Sequence, residues 1–189
     1  MNLRRVWALA ALPALTVTCA PALADGSSFQ ISSPAFKDGD TLTKTFVFSG
    51  IGLDKTPCGG ENQSPPLQWA NAPAGTQSFA LTIFDPDGFN GEGVTHWVAY
   101  NLPAAKTSVE QGEGAANSTT LTSGMQQYGQ LGFRGFCPPK GQSPHHYVMT
   151  VYALDLAPTL TPGMSRAELL AAMEKHILAA SSIVGRFSR

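Results

Sequence analysis

SFALTIFD, residues Ser78 to Asp85, carries apolar side chains at odd and even positions alike and ends in an aspartate held before Pro86. Side chains alternate between the two faces of a strand, so such a run suits a central strand covered on both sides. THWVAYNL (Thr95 to Leu102) and YVMTVYALD (Tyr147 to Asp155) share the pattern and are rich in β-branched and aromatic residues. TKTFVFS (Thr43 to Ser49) alternates apolar with polar residues and predicts a half-buried strand. Gly- and Pro-punctuated loops separate these runs, notably 57–66, 86–93 and 129–144. One helix is expected from about Ser165 to Ser182. Ser165 and Glu168 form a capping box at its start, and Leu169, Leu170, Met173, Ile177 and Ala180 follow at helical spacing before Gly185. The chain therefore reads as a mainly β, single-domain protein with one helix near its C-terminus.

The first two dozen residues read as a signal peptide. Arg4 and Arg5 precede an apolar run from Val6 to Val17, interrupted by Pro13, and Ala22-Leu23-Ala24 offers small residues at a cleavage site. Cleavage is expected after Ala24, with a periplasmic or secreted domain at 25–189. A lipoprotein signal ending at Cys19 is disfavoured by Thr18 before it. No later apolar run is long enough for a membrane helix, so no membrane insertion is expected. Removing Arg4 and Arg5 takes the formal net charge from −1 to −3. That balance offers no electrostatic footprint for nucleic acid. Charged residues make up only 13% of the chain while Gly (19) and Pro (14) are frequent, a mixture that suits a turn-rich β protein.

Of the three cysteines, Cys58 and Cys137 survive cleavage, and two thiols exported together are expected to pair. Polar residues gather at strand ends. Asp85 and Asp87 flank Pro86, His96 opens one strand, and His145, His146 and Tyr147 open another. Strand alternation places His145 and Tyr147 on one face and His146 on the other. An Asp after a strand is commonly a turn-maker, and a lone His at a strand end is more often structural than functional. Convergence of Asp, His and Tyr with Pro-rich loops tilts the reading towards a site.

Conventional catalytic signals are missing: there is no G-x-S-x-G elbow, phosphate loop, H-E-x-x-H or C-x-x-C. DPDGFNGE (Asp85 to Glu92) looks faintly like a calcium loop but fails, because Phe89 takes a ligand position and Asn90 the sharp-turn glycine position. No metal and no cofactor is expected.

Four motifs, in order, resemble those of the phosphatidylethanolamine-binding protein family, which includes the Raf kinase inhibitor proteins, and within it the small bacterial members. Asp85-Pro86-Asp87 is similar to the family's D-P-D-x-P loop, and His96-Trp97 to its H-[WF] strand start. Gly135-Phe136-Cys137-Pro138-Pro139-Lys140-Gly141 with His145-His146-Tyr147 resembles its G-P-x-P-P-x-G…H-x-Y signature. The run from Cys58 to Trp69 resembles the C-D-G-x-N-x-S-P-x-L-x-W stretch of bacterial members. The resemblance implies an antiparallel β-sandwich with a helix near the C-terminus. It also implies a shallow anion pocket built from Asp85, His96, Gly135, Pro138, Pro139, His145 and Tyr147, with imidazoles and a phenol as donors and Asp85 orienting a histidine.

The departures all fall at the rim. Gly88-Phe89-Asn90 replaces the second proline of the aspartate loop, Val94 and Thr95 precede His96 where aromatics are usual, and Phe136 stands for a proline. Phe187 stands where a terminal tyrosine is common. The favoured reading is an exported binding protein for a small anionic or phosphorylated group. A protein-interaction or inhibitor module is the alternative, and an acid–base enzyme using Asp85 or His145 comes third. A homodimer is left open.

Overall fold

The computed structural model describes residues 28–189, so the expected signal segment and its cleavage point lie outside the described residues. Two antiparallel sheets form the domain. The smaller takes β1 (Gln30–Ser32), β2 (Leu67–Ala70) and β5 (Ser108–Val109), in the order β1-β2-β5. The larger takes β3 (Ser78–Asp85), β4 (Val94–Pro103), β6 (Thr122–Ser123), β7 (His145–Leu154) and β8 (Ile177–Phe187), in the order β6-β4-β3-β7-β8. The helix α1 spans Arg166–Met173.

The two-sided apolarity of SFALTIFD has a direct structural counterpart. Phe79, Leu81 and Ile83 join the main core with Trp69 and Leu67 of the small sheet, and the Trp69 ring meets Phe79 edge-on at 5.3 Å. Ala80, from the opposite face of the same strand, joins Val98, Tyr100, Leu154, Leu169 and Met173 beneath α1. The large sheet is therefore sandwiched between the small sheet and the helix. Among the described residues no helix is long and apolar enough to cross a membrane.

Two expected elements differ. The capping box forms as read, with Ser165 Oγ accepting from Glu168 N–H and the Glu168 carboxylate accepting from Ser165 N–H. The helix then ends at Met173 instead of running to about Ser182. His176 closes the turn, its N–H donating to Met173 O at 2.9 Å and its Nδ1 meeting Asp155 Oδ1 at 2.8 Å. From Ile177 the chain pairs with β7, Ile177 opposite Leu154 and Phe187 opposite His145. Leu169 and Met173 are buried as expected, but Ile177 is 37% exposed, because its apolar spacing belongs to a strand. Small Ala and Ser residues between Ala179 and Ser182 suit either period, and long-range pairing decides between them.

Thr43 to Ser49 is not a strand. Lys44–Phe46 forms a short 3-10 turn, and the backbone around it serves loops instead of a ladder. Phe48 N–H donates to Phe136 O, Phe136 N–H to Phe46 O, and Gly60 N–H to Phe48 O. Phe46 and Val47 are both buried although they are consecutive, so the expected alternation of burial is not followed either.

Strand β4 contains one irregularity that matters for the site. Ile83 pairs with Trp97 but Phe84 pairs with Thr95, which leaves His96 as an extra residue opposite no partner. Such a bulge breaks the strict alternation of faces. Trp97 packs in the main core, and His96 beside it in sequence also points to that side, against Phe136 and Tyr147.

Candidate functional site

The site lies where β3 ends and β4 and β7 begin. A cleft of about 220 Å³ opens there, between the sheet end and the loops around residues 52–53, 88–90 and 134–142. At roughly 30 Å³ per water that is room for about seven waters, enough for a small polyatomic group. Of the residues expected at a pocket, Asp85, His96, Gly135, Pro138, Pro139 and His145 line it.

Asp85 ends β3 on the face of Ile83 and is 3% exposed. Its Oδ1 accepts from the N–H groups of Asp87 and Gly88 at 2.9 and 3.0 Å, and its Oδ2 meets His145 Nδ1 at 2.7 Å. A carboxylate buried this deeply needs such partners. His145 Nε2 in turn meets Gln142 Oε1 at 2.9 Å. The histidine that Asp85 meets is His145.

His96 is held differently. Its Nδ1 donates to the Arg134 carbonyl at 2.8 Å, and Nε2 has no partner among the described residues. Burial pushes the ring down to about 4; the Arg134 carbonyl bond and the Asp85 charge oppose that shift, while Arg134 and His145 reinforce it. At neutral pH the ring is therefore uncharged and offers a lone pair at Nε2. The resemblance implied imidazoles as donors to the ligand; with Nδ1 engaged and the ring neutral, His96 instead offers an acceptor at Nε2.

Tyr147 shares the His145 face, as alternation requires, yet it does not line the cleft. It is fully buried one pleat deeper, its ring stacked on Phe136 at 3.8 Å and edge-on to His96 at 5.3 Å. Its hydroxyl is buried without a hydrogen-bond partner among the described residues, and burial holds the phenol well above its ordinary range. His146 lies outside, as expected, paired at the surface with Asp87 at 2.9 Å.

Two backbone groups of the proline loop are already engaged. Gly135 N–H donates to Asn62 Oδ1 at 2.8 Å, and a side chain on Gly135 would collide with the Val47–Phe48 backbone at 2.4 Å. Pro138 gives its carbonyl to Arg189 Nε at 2.7 Å. The Cys58–Cys137 disulfide, with Cα atoms 5.5 Å apart, ties the 57–66 loop to the proline loop as expected. Arg189 reinforces that tie through Asp54 at 2.6 Å and holds the Asp54 carboxyl well below its usual range.

The residue missed in the sequence is Arg134. It lines the cleft with its guanidinium clamped between two rings, 3.8 Å from Phe48 and 4.1 Å from Tyr128. Among the described residues no carboxylate lies within ion-pair distance of it. Packing on two rings leaves N–H groups at the guanidinium edge to meet a partner, beside the Tyr128 hydroxyl. Its position directly before the Gly135 signature was the available signal. Phe89 completes the rim at 37% exposed, in a left-handed conformation (φ 50°) that a bulky residue seldom adopts.

Residues 32–188 match the family described as phosphatidylethanolamine-binding protein. The chain is 44% identical to YbcL of Escherichia coli over 135 residues, covering 69% of this chain and 71% of YbcL. It is 39% identical to YbhB of the same organism over 164 residues, covering 84% of this chain and 99% of YbhB. The crystal structure of E. coli YbcL, a member of the mammalian family, superposes with a TM-score of 0.79 over 86% of this chain and 99% of YbcL, at 36% identity. A homologue from Chlamydia trachomatis superposes with a TM-score of 0.72 over 86% and 98%, at 28% identity.

Proposed function

Because the chain belongs to the phosphatidylethanolamine-binding protein family, we propose that it works as an exported binding protein for a small oxyanion seated against Arg134 in the cleft. The observation that carries this reading is the guanidinium itself. An arginine with no carboxylate partner among the described residues, fixed by Phe48 and Tyr128 at the wall of a small cavity, is a preorganised anion site. The small volume favours a phosphate-sized group over an extended ligand. We read the Asp85–His145 pair as scaffolding and not as a catalytic base, since both Asp85 oxygens and both His145 nitrogens are already bonded. Export would suit a fold stapled by the Cys58–Cys137 disulfide.

Calorimetric titration with inorganic phosphate tests the reading, comparing the wild type with Arg134→Met. The expected result is saturable binding that weakens roughly tenfold or more in the variant, the loss of a charge-assisted contact. Equal affinity in the two proteins would remove Arg134 from the site, and no binding of any oxyanion would overturn the reading.

A second reading has its own support. Leu53, at the cleft wall, is 60% exposed and Ile51 beside it 58% exposed, an apolar lip that a protein partner would cover. A stoichiometric protein complex lost on Leu53→Asp, with oxyanion binding intact, would favour this interaction role.

A further inference from the structure

We propose that the cleft selects oxyanions that still carry a proton, Arg134 holding the charge and His96 Nε2 accepting the ligand's O–H. The class is phosphomonoester monoanions and dihydrogen phosphate, as against sulfate and simple phosphodiesters. This rests on the oxyanion reading above and deepens it.

The geometry begins at the His96 ring. A carbonyl oxygen only accepts, so the 2.8 Å contact to Arg134 O assigns a proton to Nδ1. Nε2 is then the one ring nitrogen left for a ligand, on a residue that lines the cleft and is 5% exposed. Phe136 and Tyr147 meet the ring edge-on at 5.2 and 5.3 Å and hold its orientation. The titratable groups around it are Asp85 on β3, His145 and Tyr147 on β7, and Arg134 and Tyr128 on the loop before β7. Their balance, dominated by burial, keeps the ring neutral through the range in which proteins are handled.

A neutral imidazole nitrogen facing the cavity is a lone pair. Opposite a fully ionised oxyanion it presents acceptor to acceptor, and the ligand gains nothing from it. Opposite a P–OH it receives a hydrogen bond. Arg134 meanwhile provides donors along its edge and a charge that no neighbouring carboxylate among the described residues neutralises. A cation and an acceptor that line the same small cleft are complementary to an anion with one proton left. Sulfate and dimethyl phosphate, at neutral pH, have the charge and lack the donor.

The test is calorimetry on the wild-type protein with methyl phosphate, methylphosphonate, dimethyl phosphate and sulfate between pH 5.5 and 8. Methyl phosphate at pH 5.5 is expected to bind roughly ten- to a hundredfold more tightly than sulfate or dimethyl phosphate, the worth of one hydrogen bond to a charged group. Its affinity should fall as its own second ionisation, near about 6, removes the proton. Methylphosphonate ionises at higher pH, and its fall should move up accordingly. A midpoint that follows the ligand supports the proposal, whereas one midpoint common to both ligands places the proton on the protein and overturns it. His96→Gln, whose amide can donate, is expected to shrink the preference over sulfate to a few-fold. If that variant fails to fold, the wild-type ligand series decides alone. Sulfate or dimethyl phosphate binding as tightly as methyl phosphate overturns the selectivity while leaving the oxyanion reading standing. No binding of any probe removes both.

Discussion

Asp85 Oδ2 and His145 Nδ1 stand 2.7 Å apart on the neighbouring strands β3 and β7, with both side chains almost wholly removed from solvent. The contact ties the end of one central strand to the start of the next, and it sets the floor of the cleft. Asp85→Asn keeps the shape and removes the charge. It is expected to destabilise the fold by about 1.5–3 kcal/mol, the range for hydrogen bonds to charged groups. Urea denaturation measures it, and a loss below about half a kcal/mol would show that the pair is not a structural tie.

The Cys58–Cys137 bond closes a separation of 79 residues. In the chain-entropy account, reduction should destabilise the protein by about 4–5 kcal/mol, an upper value because residual structure in the unfolded chain subtracts from it. Guanidinium melts with and without reductant give the number. Arg189 bridges the same loops through Asp54, Thr56 and Pro138. Reduction in an Arg189→Met background should therefore loosen the cleft more than either change alone, and strict additivity would show that the two ties act separately.

His96 should impress itself on the acid side of the stability curve. Its folded value lies near 4, below the ordinary 6.5. Between those limits the unfolded chain binds the proton and the folded chain does not. Stability should therefore rise with pH from about 4 to about 6.5 and level off above, with a slope of up to about 1.4 kcal/mol per pH unit. The carboxyls of Glu113 and Glu168, held below their ordinary 4.5, and of Asp54 and Asp87, held below 3.8, lose their contribution as pH falls below about 4.5, so the rise above that pH reads His96 apart from them. His96→Gln should flatten the window, and an unchanged slope in that variant would assign it to another group.

Met173 and Ile177 offer a contrast within four residues of chain. Met173 is fully buried under the helix side of the sheet, and Met173→Ala is expected to cost about 2–5 kcal/mol. Ile177, more than a third exposed on β8, should tolerate Ile177→Ala with a loss of about 1 kcal/mol or less. Equal effects at the two positions would contradict the helix boundary at Met173.

The legible parts of this protein are those in which a local pattern has one physical cause. Two-sided apolarity marked β3, β4 and β7, S-x-x-E marked the start of α1, and alternation sent His145 inward and His146 out. The illegible parts depend on partners far away in sequence. Ile177 to Ala180 fits a helix until β7 is there to pair with it, and Phe46 and Val47 fit a strand until the 58–63 and 135–136 loops claim their backbone. Arg134 looks like any surface cation until Phe48 arrives from 86 residues upstream to cover one of its faces. Tyr147 has the expected direction, but its depth is set by Phe136 stacked upon it.

The extra residue at His96 changes the reading frame of β4 just where the strand enters the site. Before it, Thr95 turns towards the helix side; after it, Trp97 turns towards the main core, and His96 is the junction. Deleting one residue on the N-terminal side of that junction would restore an unbroken frame and swing the imidazole to the helix side of the sheet, away from Arg134, with Trp97 and everything beyond it unmoved. Anyone transplanting this cleft to another scaffold would have to carry over the stutter in the strand, because Asp85, His96 and His145 grafted onto a regular sheet could not all face the same way.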